Sequence, residues 1–459
     1  MLSNSLIELD RQHLVHPVIS WREHEARGAT VLESAQGCWL RDASGNEILD
    51  GFAGLWCVNV GYGQDTIVDV AAEQMRRLPY ATGYFHYASE PSIKLAAELA
   101  ELAPGDLNHI YFTLGGSDAV DTAIKMVRFY FNALDKKDKK HFISLERGYH
   151  GSSSLGSGLT ALPVFHQGFD LPRPWQHYIS SPYAYRHPDG LTGSELIAAS
   201  VHELRAKVEE LGSDSVAAFI VEPVQGSGGV IVPPIGWLKA MHEACRDLGL
   251  LFIADEVITG FGRTGPMFAC EREDVAPDIM TMAKGLTAGY VPMGAVALSN
   301  SVYETIADGQ KPGVPFGHGQ TYSGHPVSAA VALEVLRLYR EGGVLENGQS
   351  SGAYFEKELA LLVDHPLVGD VRASGLLAGI ELVTNKGAKT KPAAGLQIPQ
   401  RLFERGYTNG ITFRAFADSI IGLAPPLTIS HDEIDILIAR LKTTLDELLD
   451  IKEIRDALN

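Results

Sequence analysis

The chain has 459 residues, of which 45% are hydrophobic and 20% charged, with a formal net charge of −18. That length exceeds one ordinary domain and predicts lobes sharing a large core, while the composition excludes wholesale disorder. The acidic excess leaves no basic stripe to neutralise phosphates, which argues against a nucleic-acid partner.

Four scattered cysteines, Cys38, Cys57, Cys245 and Cys270, form no C-x-x-C pair. This argues against a zinc site or disulfide framework and for a reducing compartment. No metal site is expected. The first ten residues lack a basic stretch followed by an apolar one, and no run approaches ~18 uninterrupted apolar residues. No membrane partner is expected, and the expected location is cytoplasmic.

In chain order, 37–50 read as a hairpin-like passage with turn chemistry at Ser44-Gly-Asn46. Next, Ile110-Tyr-Phe-Thr-Leu-Gly-Gly-Ser-Asp118 reads as strand, glycine turn and helix start, followed by Val120, Ile124, Val127 and Phe131 at helical spacing. Such a helix start, with its free N–H groups and a serine hydroxyl, suits a phosphate; it also suits an ordinary helix capped by Ser117 or Asp118. Residues 215–222 predict a strand, 223–234 a Gly/Pro-rich loop, 236–248 a helix and 250–255 a second strand. Both strands are continuous apolar runs, as in a parallel sheet covered on both faces, and both end in acids, Glu222 and Asp255. Ligands of open α/β sheets gather beyond the carboxyl ends of the strands. Residues 327–339 and 431–449 predict helices, the latter with Ile434, Leu437, Leu441, Leu445 and Leu448 at helical spacing. Boundaries are expected near 55 and 325: an N-terminal segment over 1–55, a large domain over 56–325, and a C-terminal part over 326–459 that joins the first segment in a smaller domain.

Asp255, closing an apolar run, and Lys284, in Thr281-Met-Ala-Lys-Gly-Leu286, are the residue types that a pyridoxal phosphate (PLP) site needs. The lysine can hold the cofactor aldehyde as a Schiff base, and the acid can keep the pyridine nitrogen protonated. Taken singly, Asp255 reads as a strand-end cap and Lys284 as a solvated surface lysine; together with the glycine-serine helix start and the acidic strand end at Glu222, the cofactor reading overtakes both. Tyr149 reads as a ring-stacking residue or a half-buried core tyrosine, and Trp56 as a pocket wall or a core anchor. Gly260-Phe-Gly-Arg-Thr-Gly265 matches a dinucleotide-binding pattern, but Pro266 follows at once and Asp278 falls too early for the ribose acid. No nucleotide role is expected there.

Motifs along nearly the whole chain resemble the class III, PLP-dependent aminotransferases of fold type I, within them the ω-amino acid or amine:pyruvate branch. They are Asp50-Gly-Phe-Ala-Gly-Leu-Trp-Cys-Val-Asn-Val-Gly-Tyr62, Leu114-Gly-Gly-Ser-Asp-Ala-Val-Asp-Thr-Ala-Ile-Lys125, Gly148-Tyr-His-Gly151 and Glu222-Pro-Val-Gln-Gly226. Ala254-Asp-Glu-Val-Ile-Thr-Gly-Phe-Gly-Arg-Thr-Gly265, Ala283-Lys-Gly285 and Gly317-His-Gly-Gln-Thr-Tyr-Ser-Gly-His-Pro326 continue the series.

The resemblance implies an α/β fold: a large domain with a mostly parallel central sheet flanked by helices, plus a smaller α+β domain from both termini. It implies that Lys284 carries the Schiff base, Asp255 pairs with the ring nitrogen, and Glu222 holds that acid. It implies that Tyr149 and Val257 cover the two ring faces, that Gly116 and Ser117 bind the phosphate, and that His150 lies in the cofactor site. Thr321 is expected to reach the phosphate of a neighbouring subunit, giving a homodimer or a tetramer with shared sites. Trp56, Phe85, Tyr149 and Arg414 are expected at the substrate. Arg414 is expected to grip a carboxylate bidentately, the alternative being a surface arginine on a C-terminal strand. The chain departs from the family pattern at Asp118, where glutamate is common, and at Tyr84-Phe-His-Tyr87, where the branch is more apolar. The implied reaction is a ping-pong transfer of an amino group from an ω-amino acid or primary amine to a keto acid, most simply pyruvate. The alternatives are a decarboxylase or aminomutase on the same fold, or a non-catalytic binding protein.

Overall fold

The computed structural model describes residues 2–458; Met1 and Asn459, which end the two outer segments expected above, lie outside the described residues. A seven-stranded sheet forms the centre, in spatial order His109–Thr113, Gly294–Leu298, Ile279–Met282, Leu251–Asp255, Val216–Val221, His141–Leu145 and Gln176–Ile179. Gly294–Leu298 runs antiparallel to both neighbours, and the remaining pairings are parallel. Every residue of Val216–Val221 and Leu251–Asp255 is buried, which is why these strands read as unbroken apolar runs. The helices Gly116–Ala133, Gly193–Leu211 and Trp237–Asp247 cover the sheet through two apolar clusters, one built on Ile124 and Val127 and the other on Leu204 and Trp237.

The expected elements appear with small shifts at their ends. The hairpin pairs Trp39–Asp42 with Glu47–Asp50. The strand expected over 215–222 is Val216–Val221, and Glu222 lies one residue beyond it. The helix expected over 236–248 runs Trp237–Asp247, entered from Gly236 at φ +93, a left-handed conformation that glycine adopts without strain. The later helices are Pro326–Arg340 and His431–Leu449. In the second, Ser430 accepts from the Glu433 N–H while the Glu433 carboxylate accepts from the Ser430 N–H, a reciprocal cap that fixes the helix start.

Two further sheets flank the centre. One joins Leu32–Gln36, Trp39–Asp42, Glu47–Asp50 and Ile411–Thr412, with Ile411 opposite Leu49 and Thr412 opposite Asp50 in parallel register. The other joins Val368–Ser374, Leu377–Leu382, Ile420–Leu423 and Arg414–Ala415. Chain from both ends thus shares one sheet.

The 260–265 stretch opens no helix of its own. Gly262 (φ +82) and Gly265 (φ +109) turn the chain so that the Phe261 N–H reaches Met267 O at 2.5 Å. Its Arg263 is completely buried and donates to Leu376 O at 3.1 Å, Pro425 O at 2.5 Å and Asn59 Oδ1 at 2.8 Å. Burial pushes the guanidinium down to about 10. One side chain therefore fastens three distant segments to its own loop. Replacing Arg263 with leucine strands those carbonyls without a donor, and we expect a loss of about 3 kcal/mol. An unchanged urea midpoint for Arg263→Leu would remove this residue from the list of structural clamps.

Candidate active site

Asp255 ends its strand opposite Thr281 of the neighbouring strand and is 3% exposed. Its Oδ1 accepts from Thr281 Oγ1 at 3.0 Å and from the Val257 N–H at 3.2 Å; its Oδ2 pairs with His150 Nδ1 at 2.8 Å. A carboxylate offers about four lone-pair sites. Three are filled from within the protein, and one on Oδ2 is left for a further donor. His150 is itself fixed, since its N–H donates to Thr160 Oγ1 at 2.8 Å and the Thr160 hydroxyl donates to Gly151 O at 2.7 Å. Its buried Nε2 has no hydrogen-bond partner.

Glu222 is 4% exposed and accepts from the Tyr149 N–H at 2.8 Å and the Gly226 N–H at 3.0 Å. Burial, reinforced by the nearby Asp255 charge and opposed by His150, pushes its carboxyl up to about 7. Lys284 follows the next strand, Ile279–Met282, and opens a short turn at φ +40, a strained conformation for a side chain of that size. Burial lowers its ammonium pKa, while Asp255 and Glu222 oppose the shift. Among the described residues no hydrogen bond or salt bridge engages its Nζ.

The helix start expected to bind phosphate is present. Gly116–Ala133 begins with no side-chain cap, so its first N–H groups stay available. Close packing explains the glycines: a Cβ on Gly116 would lie 2.8 Å from Val257 Cγ1, and one on Gly151 (φ +92) would lie 2.7 Å from Ser117 Oγ. Ser117 Oγ accepts from the Ser152 N–H at 3.2 Å. Neither Ser117 nor Asp118 acts as the cap, so the capped-helix alternative does not hold. Val257 thereby bridges the acid and the helix start. Tyr149 is half-buried with its ring edge-on to Phe165 at 5.2 Å.

Three expected site residues share no hydrogen bond or ring contact with this group among the described residues. Phe85 is 81% exposed at φ +59, and Thr321 is exposed, its carbonyl accepting from Tyr80 Oη at 2.9 Å. Arg414 is exposed, on the strand Arg414–Ala415, with its guanidinium 5.7 Å from the Phe416 ring centre. Trp56 is 3% exposed, edge-on to Phe52 at 5.0 Å and near Phe416 at 6.4 Å, in a cluster with Val224, Ile258 and Ile420. That places it in packing between the large sheet and the C-terminal strands. Tyr84 and Tyr87 line a cavity of about 450 Å³ together with Tyr111, Phe316 and His318.

Thr281 and Thr160 escaped the sequence reading. Thr281 had a signal, a lone hydroxyl inside an apolar strand. Thr160 had none, because its partner His150 is ten residues away across an irregular loop.

The sequence profile described as aminotransferase class-III matches residues 22–445. The chain belongs to the class III aminotransferases. It is 41% identical over 443 residues to the putrescine–pyruvate aminotransferase of Pseudomonas aeruginosa, covering 96% of this chain and 95% of that protein. The crystal structure of an (S)-enantioselective omega-transaminase from Thermomicrobium roseum superimposes with a TM-score of 0.95 at 42% identity, over 98% of this chain and 99% of that one. An omega transaminase from Pseudomonas jessenii in complex with PMP matches with a TM-score of 0.95 at 36% identity, over 97% and 98% of the two chains. This aminotransferase is PLP-dependent and has fold type I. The residues fit that cofactor: an uncapped helix start for an anion, a free lone pair on a buried carboxylate, and an unengaged lysine beside it.

Glu222 holds its proton more tightly in the folded chain than in the unfolded one. The folded state therefore loses stability as pH rises from the unfolded carboxyl value of 4.5 to about 7, and loses no more above it. In the apoenzyme, we expect the stability advantage of wild type over Glu222→Gln to shrink by about 1–3 kcal/mol between pH 5 and pH 8. Denaturant melts at the two pH values check this; a constant difference would mean that Glu222 stays ionised throughout.

Proposed function

We propose that the enzyme transfers an amino group from an ω-amino acid or other primary amine to pyruvate. The observation that carries this reading is the pairing of Asp255, buried and anchored by three donors, with Lys284, whose amine is unengaged. The name of the 41% identical relative, putrescine–pyruvate aminotransferase, supports the acceptor and an amine donor.

Bound pyridoxal phosphate supplies an aldehyde that takes up the amino group and a ring that accepts the electron pair released at the substrate carbon. Lys284 would hold that aldehyde, and its Nζ would take up the proton of the amine-bearing carbon. A lowered pKa favours the neutral amine this requires. The Oδ2 lone pair of Asp255 left over by His150 would accept the ring N–H and favour a protonated ring nitrogen. His150 orients Asp255, and Glu222 fixes the Tyr149 backbone, so that the Tyr149 ring and Val257 would cover the two faces of the cofactor ring. The N–H groups of Gly116 and Ser117 would hold the phosphate. Trp56, whose buried ring reaches Gly226 beside Glu222, would wall the amine pocket together with Phe85, and Arg414 would grip the carboxylate of the keto acid.

We further propose a cytoplasmic homodimer, with Thr321 contributing to the phosphate site of the other subunit and with room for dimers to pair into a tetramer. The exposure of Thr321 and Phe85 in the single chain supports a role across subunits. The cytoplasmic placement rests on the four free cysteines; no described helix is long and apolar enough to cross a membrane. The division near residues 55 and 325 is proposed on the same footing, supported by the shared sheet of both chain ends.

Lys284→Ala should lower turnover by roughly 10⁴-fold or more. Alanine formation from pyruvate in step with amine loss is the assay, and near wild-type turnover in the variant would sink the assignment. That coupling also separates transamination from decarboxylation. Arg414→Ala should slow the pyruvate half-reaction by about 10- to 100-fold while largely sparing a donor that lacks a carboxylate. Equal losses in single-turnover measurements of both halves would remove Arg414 from acceptor recognition.

A further inference from the structure

The N-terminal arm carries a cluster that transamination does not use. The helix Leu2–His13 supplies Asp10, the helix Trp21–Arg27 supplies His24, and the turn between them supplies His16. Asp10 Oδ1 lies 2.6 Å from His16 Nε2, and Asp10 Oδ2 lies 2.7 Å from His24 Nε2. The imidazole centroids are 4.2 Å apart, tilted by 44°. All three side chains are largely sheltered, at 10% exposure for Asp10, 28% for His16 and 14% for His24. Two nitrogens and one oxygen thus converge, every donor within 4.8 Å of the others.

The frame around these groups is polar and fixed. Trp21 Nε1 donates to His16 O at 3.1 Å, and Arg11 Nη2 donates to Ala26 O at 3.3 Å. Gly28 (φ +78) lets the arm fold back, since a Cβ there would stand 2.8 Å from Ile7 Cγ2. No residue from 6 to 27 is buried, and Leu9, Leu14, Val15 and Trp21 are all more than half exposed. Within the single chain this segment has no core of its own, and small units without a core commonly use a metal.

We propose that Asp10, His16 and His24 form a binding site for a zinc-class divalent cation that clips the N-terminal arm. Two imidazoles and one carboxylate suit a borderline ion such as Zn²⁺ better than Mg²⁺ or Ca²⁺, which prefer all-oxygen shells. A tetrahedral ion sets donors about 3.3 Å apart, a spacing these side chains reach by small rotations. The ion takes the place of the hydrogens now shared between the imidazoles and the carboxylate. Each imidazole then carries its proton on Nδ1 and ligates through Nε2, and water fills the fourth position.

The test uses the full-length holoenzyme, stripped with a chelator and titrated with Zn²⁺ in a calorimeter, with Co²⁺ substitution giving visible ligand-field bands as a second readout. We expect one high-affinity site per chain, weakened roughly 100-fold in His24→Asn and in Asp10→Asn. Zn²⁺ should slow tryptic cleavage after Arg22 in the wild type and leave it unchanged in the variants. Transaminase activity should persist in both, which shows that they fold. No stoichiometric binding by the wild type, or equal binding by wild type and both variants, overturns the proposal.

Discussion

The structure turns on holding the Asp255 carboxyl correctly aimed at a site where it is 3% exposed. A buried carboxylate is stable only when its lone pairs are occupied. Here a threonine from the adjacent strand, a backbone N–H two residues on and a histidine from an irregular loop occupy three of them. Each donor has its own support: Thr281 by strand register, Val257 by contact with Gly116, and His150 by Thr160. The acid therefore organises the ends of two strands, one helix start and one loop.

A second buried acid beside the first carries an electrostatic cost. Glu222 meets that cost partly by holding its proton near neutrality and partly through two backbone N–H groups. Lys284 lies in the same field, which raises its basicity against the effect of burial. The balance of these terms keeps a lysine and two carboxylates within one low-dielectric region. It also leaves Lys284 without a hydrogen-bonded partner, the condition a nucleophilic amine requires.

The sheet and its clamps set that geometry from outside. The parallel strands bring their carboxyl ends to one edge, and the antiparallel Gly294–Leu298 places His109–Thr113, which leads into the glycine turn and the helix start, on the same sheet. Arg263, in a stretch that resembled a nucleotide loop, instead fastens segments near residues 59, 376 and 425. Its pattern of glycines serves turns and close packing, a need that many folds share with phosphate loops.

Much of this was legible in the residues. Unbroken apolar runs, helical spacing and the glycine-serine helix start identified the strands, the helices and the acid–lysine pair, because these signals are local and depend on periodicity and backbone freedom. Thr160 and the Arg263 clamp were not legible, because each acts across long sequence separations where no local pattern records the partner. Trp56 shows the same limit. Its sequence context allowed a pocket wall or a core anchor, and only packing against Phe52 and Phe416 placed it in a buried cluster. The sequence alone determined the element types and the identities of the chemical groups, since those follow from composition and short-range spacing, and its family motifs carried the cofactor class. Tertiary structure alone decided which lone pairs of Asp255 are filled, how far Glu222 is shifted, and that Asp10, His16 and His24 meet, since burial and convergence depend on segments brought together only by folding.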